Sequence, residues 1–74
     1  MYAIKTPAGY VAGYSSRNLC VQVTNEFKDG LFIPVFNDFT KTFKTMAAAQ
    51  KFIDKYADAG FGLNSKSVEI IKLS

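Results

Sequence analysis

The chain has no histidine and no tryptophan, one cysteine, and two prolines in 74 residues. Without histidine, the commonest metal ligand and general base is missing. A nucleophilic site would have to rest on Cys20 or a serine with lysine or carboxylate as base, and Cys20 has no basic sequence neighbour. Ser15-Ser16 lies beside Arg17 but in turn-forming surroundings, and Asp54 and Asp58 are interleaved with lysines as on a solvated helix face. Gly9 and Gly13 are not followed by the Lys-Ser/Thr of a phosphate loop. These absences make the chain a non-enzyme by expectation, with no cofactor and no metal. An enzyme would need a partner chain or cofactor to supply the missing base.

A single thiol cannot staple the domain internally, and an unpaired cysteine suits a reducing compartment, so a cytoplasmic home is expected. Neither a basic n-region with a long apolar stretch nor an apolar run of roughly 18 residues occurs. No signal peptide and no membrane association are expected. A chain of 74 residues leaves room for one core, taken as a single domain over 1–74. Charge is scattered, nine Lys/Arg against six Asp/Glu with a single arginine, a thin excess for a nucleic-acid footprint.

What is present reads as a succession of short elements. Tyr2 to Lys5 alternates as a strand, Thr6-Pro7-Ala8-Gly9 turns, and Tyr10 to Tyr14 returns as its hairpin partner. Leu19 to Thr24 alternates again. Asn25 to Gly30 forms the next break, closed by the hairpin signal Asp29-Gly30. Leu31 to Phe36 follows as an apolar strand in which Pro34 lacks a ladder donor, placing it at a sheet edge or bulge. Asn37 to Thr40 is a polar break, and Lys41 to Lys44 a short extended lead into a helix.

That helix is the clearest element. Thr45 is an N-cap type, and Met46, Ala49, Phe52, Ile53 and Tyr56 form one apolar stripe, with Gly60 as the stop. Lys51/Asp54 and Lys55/Asp58 are spaced to pair on the opposite face. Phe61 to Lys66 is a loop, and Ser67 to Leu73 a last strand. The order β-β-β-β-α-β predicts an α+β fold: a mainly antiparallel sheet of four to five strands with the helix on one face. Its stripe is expected to meet Ile4, Val21, Ile33 and Ile70.

Eleven Phe and Tyr are the informative feature. If Leu31, Ile33 and Val35 face the helix, Phe32 and Phe36 face outward, and Tyr10 and Tyr14 share a strand face. Tyr10, Tyr14, Phe32 and Phe36 are therefore the candidate protein-binding residues, covered by a protein partner, a second copy of the chain, or the chain's own loops. The alternative is nucleic-acid binding by these rings with Lys28, Lys41 and Lys44.

The segment Lys41-Thr42-Phe43-Lys44-Thr45-Met46-Ala47-Ala48-Ala49-Gln50-Lys51-Phe52-Ile53, with Val68-Glu69-Ile70, Tyr2-Ala3-Ile4-Lys5 and Gly9-Tyr10-Val11, resembles a recurrent pattern in small accessory proteins of tailed bacteriophages and their hosts. It departs in carrying Ala47-Ala48 where charged residues are usual, and Ala48 leaves no reciprocal capping box. The resemblance implies a phage accessory protein that binds and inhibits a host or defence protein in the host cytoplasm. It carries over no functional residue.

Overall fold

Two-residue turns, a proline and one capped helix dictate the layout of the structure, a computed structural model that describes residues 1–56 and 67–73. The strands are β1 (Tyr2–Thr6), β2 (Gly9–Ser15), β3 (Cys20–Lys28), β4 (Leu31–Pro34) and β5 (Glu69–Lys72), and the helix is α1 (Met46–Tyr56). All strand pairings are antiparallel, in the spatial order β4-β3-β2-β1-β5. The expected α+β sheet with one helix is the observed fold, and Pro34 lies on the expected edge strand. Gly60, Asp58 and the loop Phe61 to Lys66 fall outside the described residues.

Local chemistry explains each joint. Thr6 Oγ1 accepts from the N–H groups of Ala8 and Gly9 at 3.1 Å and donates to the Gly9 carbonyl at 2.8 Å, closing the first turn. Gly9 is obligatory there: its φ is +151°, and a Cβ would stand 2.5 Å from the Thr24 carbonyl oxygen. At the other hairpin, Asp29 and Gly30 take φ values of 53° and 81°, the paired positive angles of a type I′ turn. Thr45 caps α1, accepting from the Ala48 N–H at 3.1 Å. Asp54 accepts a hydrogen bond from Gln50 Nε2 at 2.9 Å, so its carboxylate is engaged one turn back rather than with Lys51.

The β1–β2 hairpin opens like a fork. Only Lys5/Tyr10 and Thr6/Gly9 are paired, and the extended residues 41–43 fill the gap beyond them. The Lys41 N–H donates to the Val11 carbonyl at 2.9 Å, while Tyr2 and Phe43 exchange two backbone hydrogen bonds of 2.8 Å. The Lys41–Lys44 lead is thus a short extra rung of the sheet, and it delivers Phe43 into the core.

The core is small: Ile4, Val11, Val21, Phe43, Ala49 and Ile53 are buried together, ringed by Tyr2, Tyr14, Phe52, Tyr56, Val68 and Ile70. Full burial of residues such as Ile4, Val11 and Ile53 stabilises by roughly 1.5–3 kcal/mol each. Ala49, with no exposure, is the small residue that lets α1 approach the sheet closely. The expected stripe holds for Ala49, Phe52, Ile53 and Tyr56, but Met46 remains 54% exposed at the first helical position. Ile4, Val21 and Ile70 meet the helix side as expected. Ile33 does not: it is 43% exposed, and its pairing with Glu26 puts it on the face away from α1.

Candidate functional site

β3 is the longest strand, and its two halves have different neighbours. Residues Cys20 to Thr24 pair with β2, whereas Asn25 to Lys28 pair only with β4. The strand does not break at Asn25 as its sequence suggested; it continues to Lys28 because the turn is confined to Asp29-Gly30, and that turn propagates the pairing backwards. The result is a two-stranded arm extending past the rest of the sheet.

The register of this arm follows from its turn. A two-residue type I′ loop makes Lys28/Leu31 the hydrogen-bonded closing pair; alternation then makes Phe27/Phe32 and Asn25/Pro34 non-hydrogen-bonded pairs and Glu26/Ile33 a hydrogen-bonded one. The Val35 N–H donating to the Thr24 carbonyl at 3.2 Å is the next rung in the same register. Non-hydrogen-bonded partners bring their side chains closest, and the Phe27 and Phe32 rings meet at 5.1 Å and 64°. Pro34 sits where its missing N–H would have pointed to open solvent, so it sacrifices no ladder bond.

Parity corrects the expected faces. Phe32 and Phe27 lie on the side shared with Val21 and Val23, the helix side, and Leu31 and Ile33 lie on the other with Glu26 and Lys28. Beyond the helix both sides are open: Phe27 is 64% exposed, Leu31 68%, Phe32 57%. Leu31 and Ile33 are therefore surface residues, and Val35 is half-buried.

Past β4, residues 35–40 fold back over the sheet face that α1 leaves open. Thr24, buried on that face, holds them: its Oγ1 donates to the Val35 carbonyl at 2.6 Å and meets Thr40 Oγ1 at 2.9 Å. Thr40 Oγ1 in turn accepts from the Asn37 N–H at 3.0 Å. The Tyr10 carbonyl lies farther from Thr24 Oγ1, at 3.3 Å; with one proton per hydroxyl and Val35 the nearer acceptor, the chain runs Asn37 N–H to Thr40, Thr40 to Thr24, Thr24 to Val35. Asn37 Oδ1 accepts from the Phe39 N–H at 2.8 Å, completing a tight turn. That turn displays Phe39 at 79% exposure, the highest among the large hydrophobic side chains of the described residues.

The four predicted aromatic residues divide. Phe32 and Phe36 are on the arm and its return segment, and Phe36 is 48% exposed with its ring edge-on to Tyr10 at 5.7 Å. Tyr10 thus supports Phe36 from beneath. Tyr14 is elsewhere: it stacks on Tyr56 of α1, centroids 4.5 Å apart and 13° from parallel. The reason is a β-bulge, since pairing runs Val11/Val23 and then Gly13/Gln22, so the extra residue Ala12 reverses the faces and turns Tyr14 to the helix side with Val21. Tyr10 and Tyr14 do not share a face. An open depression of about 330 Å³ lies at this bulge, lined by Ala12, Gly13, Tyr14, Ser15 and Gln22.

Lys28 is at the tip of the arm, on the side away from Phe27 and Phe32. Lys41 belongs to the extra rung, its Nζ 5.5 Å from the Phe43 ring centroid, and Lys44 is exposed just before α1. The three lysines occupy different elements. Among the described residues, no three His, Cys, Asp or Glu side chains are grouped to hold a metal ion. No helix of the described residues is long and apolar enough to cross a membrane.

Sequence reasoning missed Phe27, Phe39, Leu31 and Ile33 as exposed residues. For Phe27 the signal was present, because counting back from Asp29-Gly30 pairs it with Phe32. The chain matches no protein-family model, no curated protein and no solved structure.

Proposed function

We propose that this chain is a non-enzymatic protein-binding module whose contact surface is the β3–β4 arm with the segment 35–39. The observation that carries the reading is the concentration of exposed apolar area: Phe27, Leu31, Phe32, Ile33, Phe36 and Phe39 are six of the nine exposed large hydrophobic residues among those described, all within thirteen positions. Scattered apolar residues are ordinary on a surface; a contiguous group on a projecting element marks a contact site. Phenyl rings supply large apolar area at low entropic cost, which suits them as anchors in a partner's pocket. With the phage resemblance, the concrete form is an inhibitor of a host or defence protein acting in the host cytoplasm.

Nucleic acid is the competing partner, and it is supported less because Lys28 points away from the Phe27/Phe32 rings. Capture of proteins from host extract on immobilised wild-type chain, set beside Phe32→Ala and Phe39→Ala, tests the reading. Specific capture lost in both folded variants is expected. Capture unchanged in both would remove the arm from the mechanism, and retention of a labelled single-stranded oligonucleotide with steep salt dependence would favour the nucleic-acid partner.

A further inference from the structure

The two edges of the sheet are built differently. β5, at one edge, begins with Glu69 and ends with Lys72, charges of the kind that discourage strand addition. β4, at the other, reads Leu31-Phe32-Ile33-Pro34 and carries no charge at all. In the register derived above, Leu31 and Ile33 spend their backbone groups on β3, whereas Phe32 and Pro34 face the open edge. Pro34 has no N–H, so Phe32 supplies the single outward donor of the strand.

From this we infer that the β4 edge pairs with β4 of a second copy, antiparallel and about a two-fold axis at Phe32. This rests on the arm being a protein-binding element and names what its edge takes. Antiparallel self-pairing is isologous, so each contact occurs twice. Centred on Phe32, the pairing lets the two Phe32 residues exchange both N–H···O=C bonds. Each Pro34 then falls opposite the Gly30 turn of the other copy, where its missing donor breaks no strand pairing. Shifting by two residues toward Pro34 would set Phe32 against Pro34 and leave both Phe32 carbonyls without a donor. Leu31 stands beside Ile33 of the second copy, and the Phe27/Phe32 pairs of both copies line up as one row of four rings.

The contact is modest. At roughly 100 Å² for each large side chain covered, it buries about 800 Å² in total, under the ~1,000 Å² of a firm interface, so association in the micromolar range is expected.

Light scattering from about 10 μM to about 1 mM should show the mass climbing from 8.2 kDa toward twice that value. Phe32→Pro removes the outward donor without touching the β3 ladder and should weaken the dimer at least about tenfold beyond Phe32→Ala, which loses only the ring. Register is read by disulfide trapping in a Cys20→Ser background. Paired Cα atoms at position 32 would be about 5.5 Å apart, within bridging range, whereas two copies of position 33 would be over ~7 Å apart. Phe32→Cys should therefore cross-link and Ile33→Cys should not. A mass fixed at the monomer up to about 1 mM, or equal cross-linking at both positions, would overturn the pairing. Monomeric protein that still captures a host partner through Phe32 would leave the binding reading standing; a dimer whose host capture ignores the arm would do the reverse.

Discussion

Thr24→Val replaces a buried hydroxyl by a methyl of nearly the same size, so it opens no cavity and isolates the hydrogen bonds. In the native chain Thr24 donates to the Val35 carbonyl at 2.6 Å and accepts from Thr40 at 2.9 Å. Valine leaves that carbonyl without its side-chain donor and the Thr40 hydroxyl without its acceptor, with Thr40 only 8% exposed. Two lost bonds at about 1 kcal/mol each, plus the unmet desolvation of the remaining groups, give a destabilisation of roughly 2–4 kcal/mol. For 74 residues the whole stability is expected near 4–11 kcal/mol, so the effect is a large part of it. Urea unfolding followed by far-ultraviolet circular dichroism measures it, tryptophan being absent. Thr24→Ser should recover most of the loss, because it keeps the hydroxyl. A double-mutant cycle with Thr40→Val should return a coupling of about 1 kcal/mol. If Thr24→Val stayed within about 0.5 kcal/mol of wild type, or the cycle were additive, the chain of hydroxyls would not be what pins segment 35–40.

Gly9→Ala, at the buried first residue of β2, should cost roughly 2 kcal/mol or more, since the new Cβ would lie 2.5 Å from a backbone oxygen at φ +151°; thermal unfolding reads it, and a neutral result would refute the close approach. Thr45→Ala should cost about 1 kcal/mol and fray the first turn of α1, seen as faster amide exchange at Ala48. Ile53→Ala, 4% exposed and central to the helix–sheet contact, should cost about 2–5 kcal/mol. Phe27→Ala should by contrast cost no more than about 1 kcal/mol, since its ring contact with Phe32 is exposed; a larger loss would place the arm in the folding core.

Most of the architecture was legible wherever one local rule had no competitor. Asp29-Gly30 specified a turn because both residues tolerate positive φ, Thr45 specified a helix start, and Pro34 an edge. The sequence was silent where a single residue changes parity. Ala12 looks like any strand residue, yet as the extra residue of a bulge it moved Tyr14 from the predicted surface to the helix contact. The outward and inward assignments on β4 failed for a different reason: alternation says which residues share a face, but neither which of the two faces the helix takes nor whether anything covers it. The eleven residues of α1 pack against β1, β5 and, through the Tyr14–Tyr56 stack, β2, and leave the arm at β4 bare. The extra rung at residues 41–43 depends on the fork between β1 and β2, a long-range event that no local pattern announces.

The distribution of apolar area ties the fold to its proposed use. Among the described residues seven hydrophobic ones are buried, two of them alanines, while six large apolar side chains are displayed along the arm and its return. A two-stranded ribbon is marginal in water without a covered face, so nothing about the isolated chain's stability calls for Phe27, Phe32 and Phe39 at these places. Polar β-formers such as threonine would serve the arm equally well on its own. The hydroxyl chain through Thr24 and Thr40 fixes the base of the arm and the return segment to the sheet, which lowers the ordering cost of any complex made through those rings. Rigid anchoring at the base and apolar display at the tip are together the properties of a surface formed before its partner arrives.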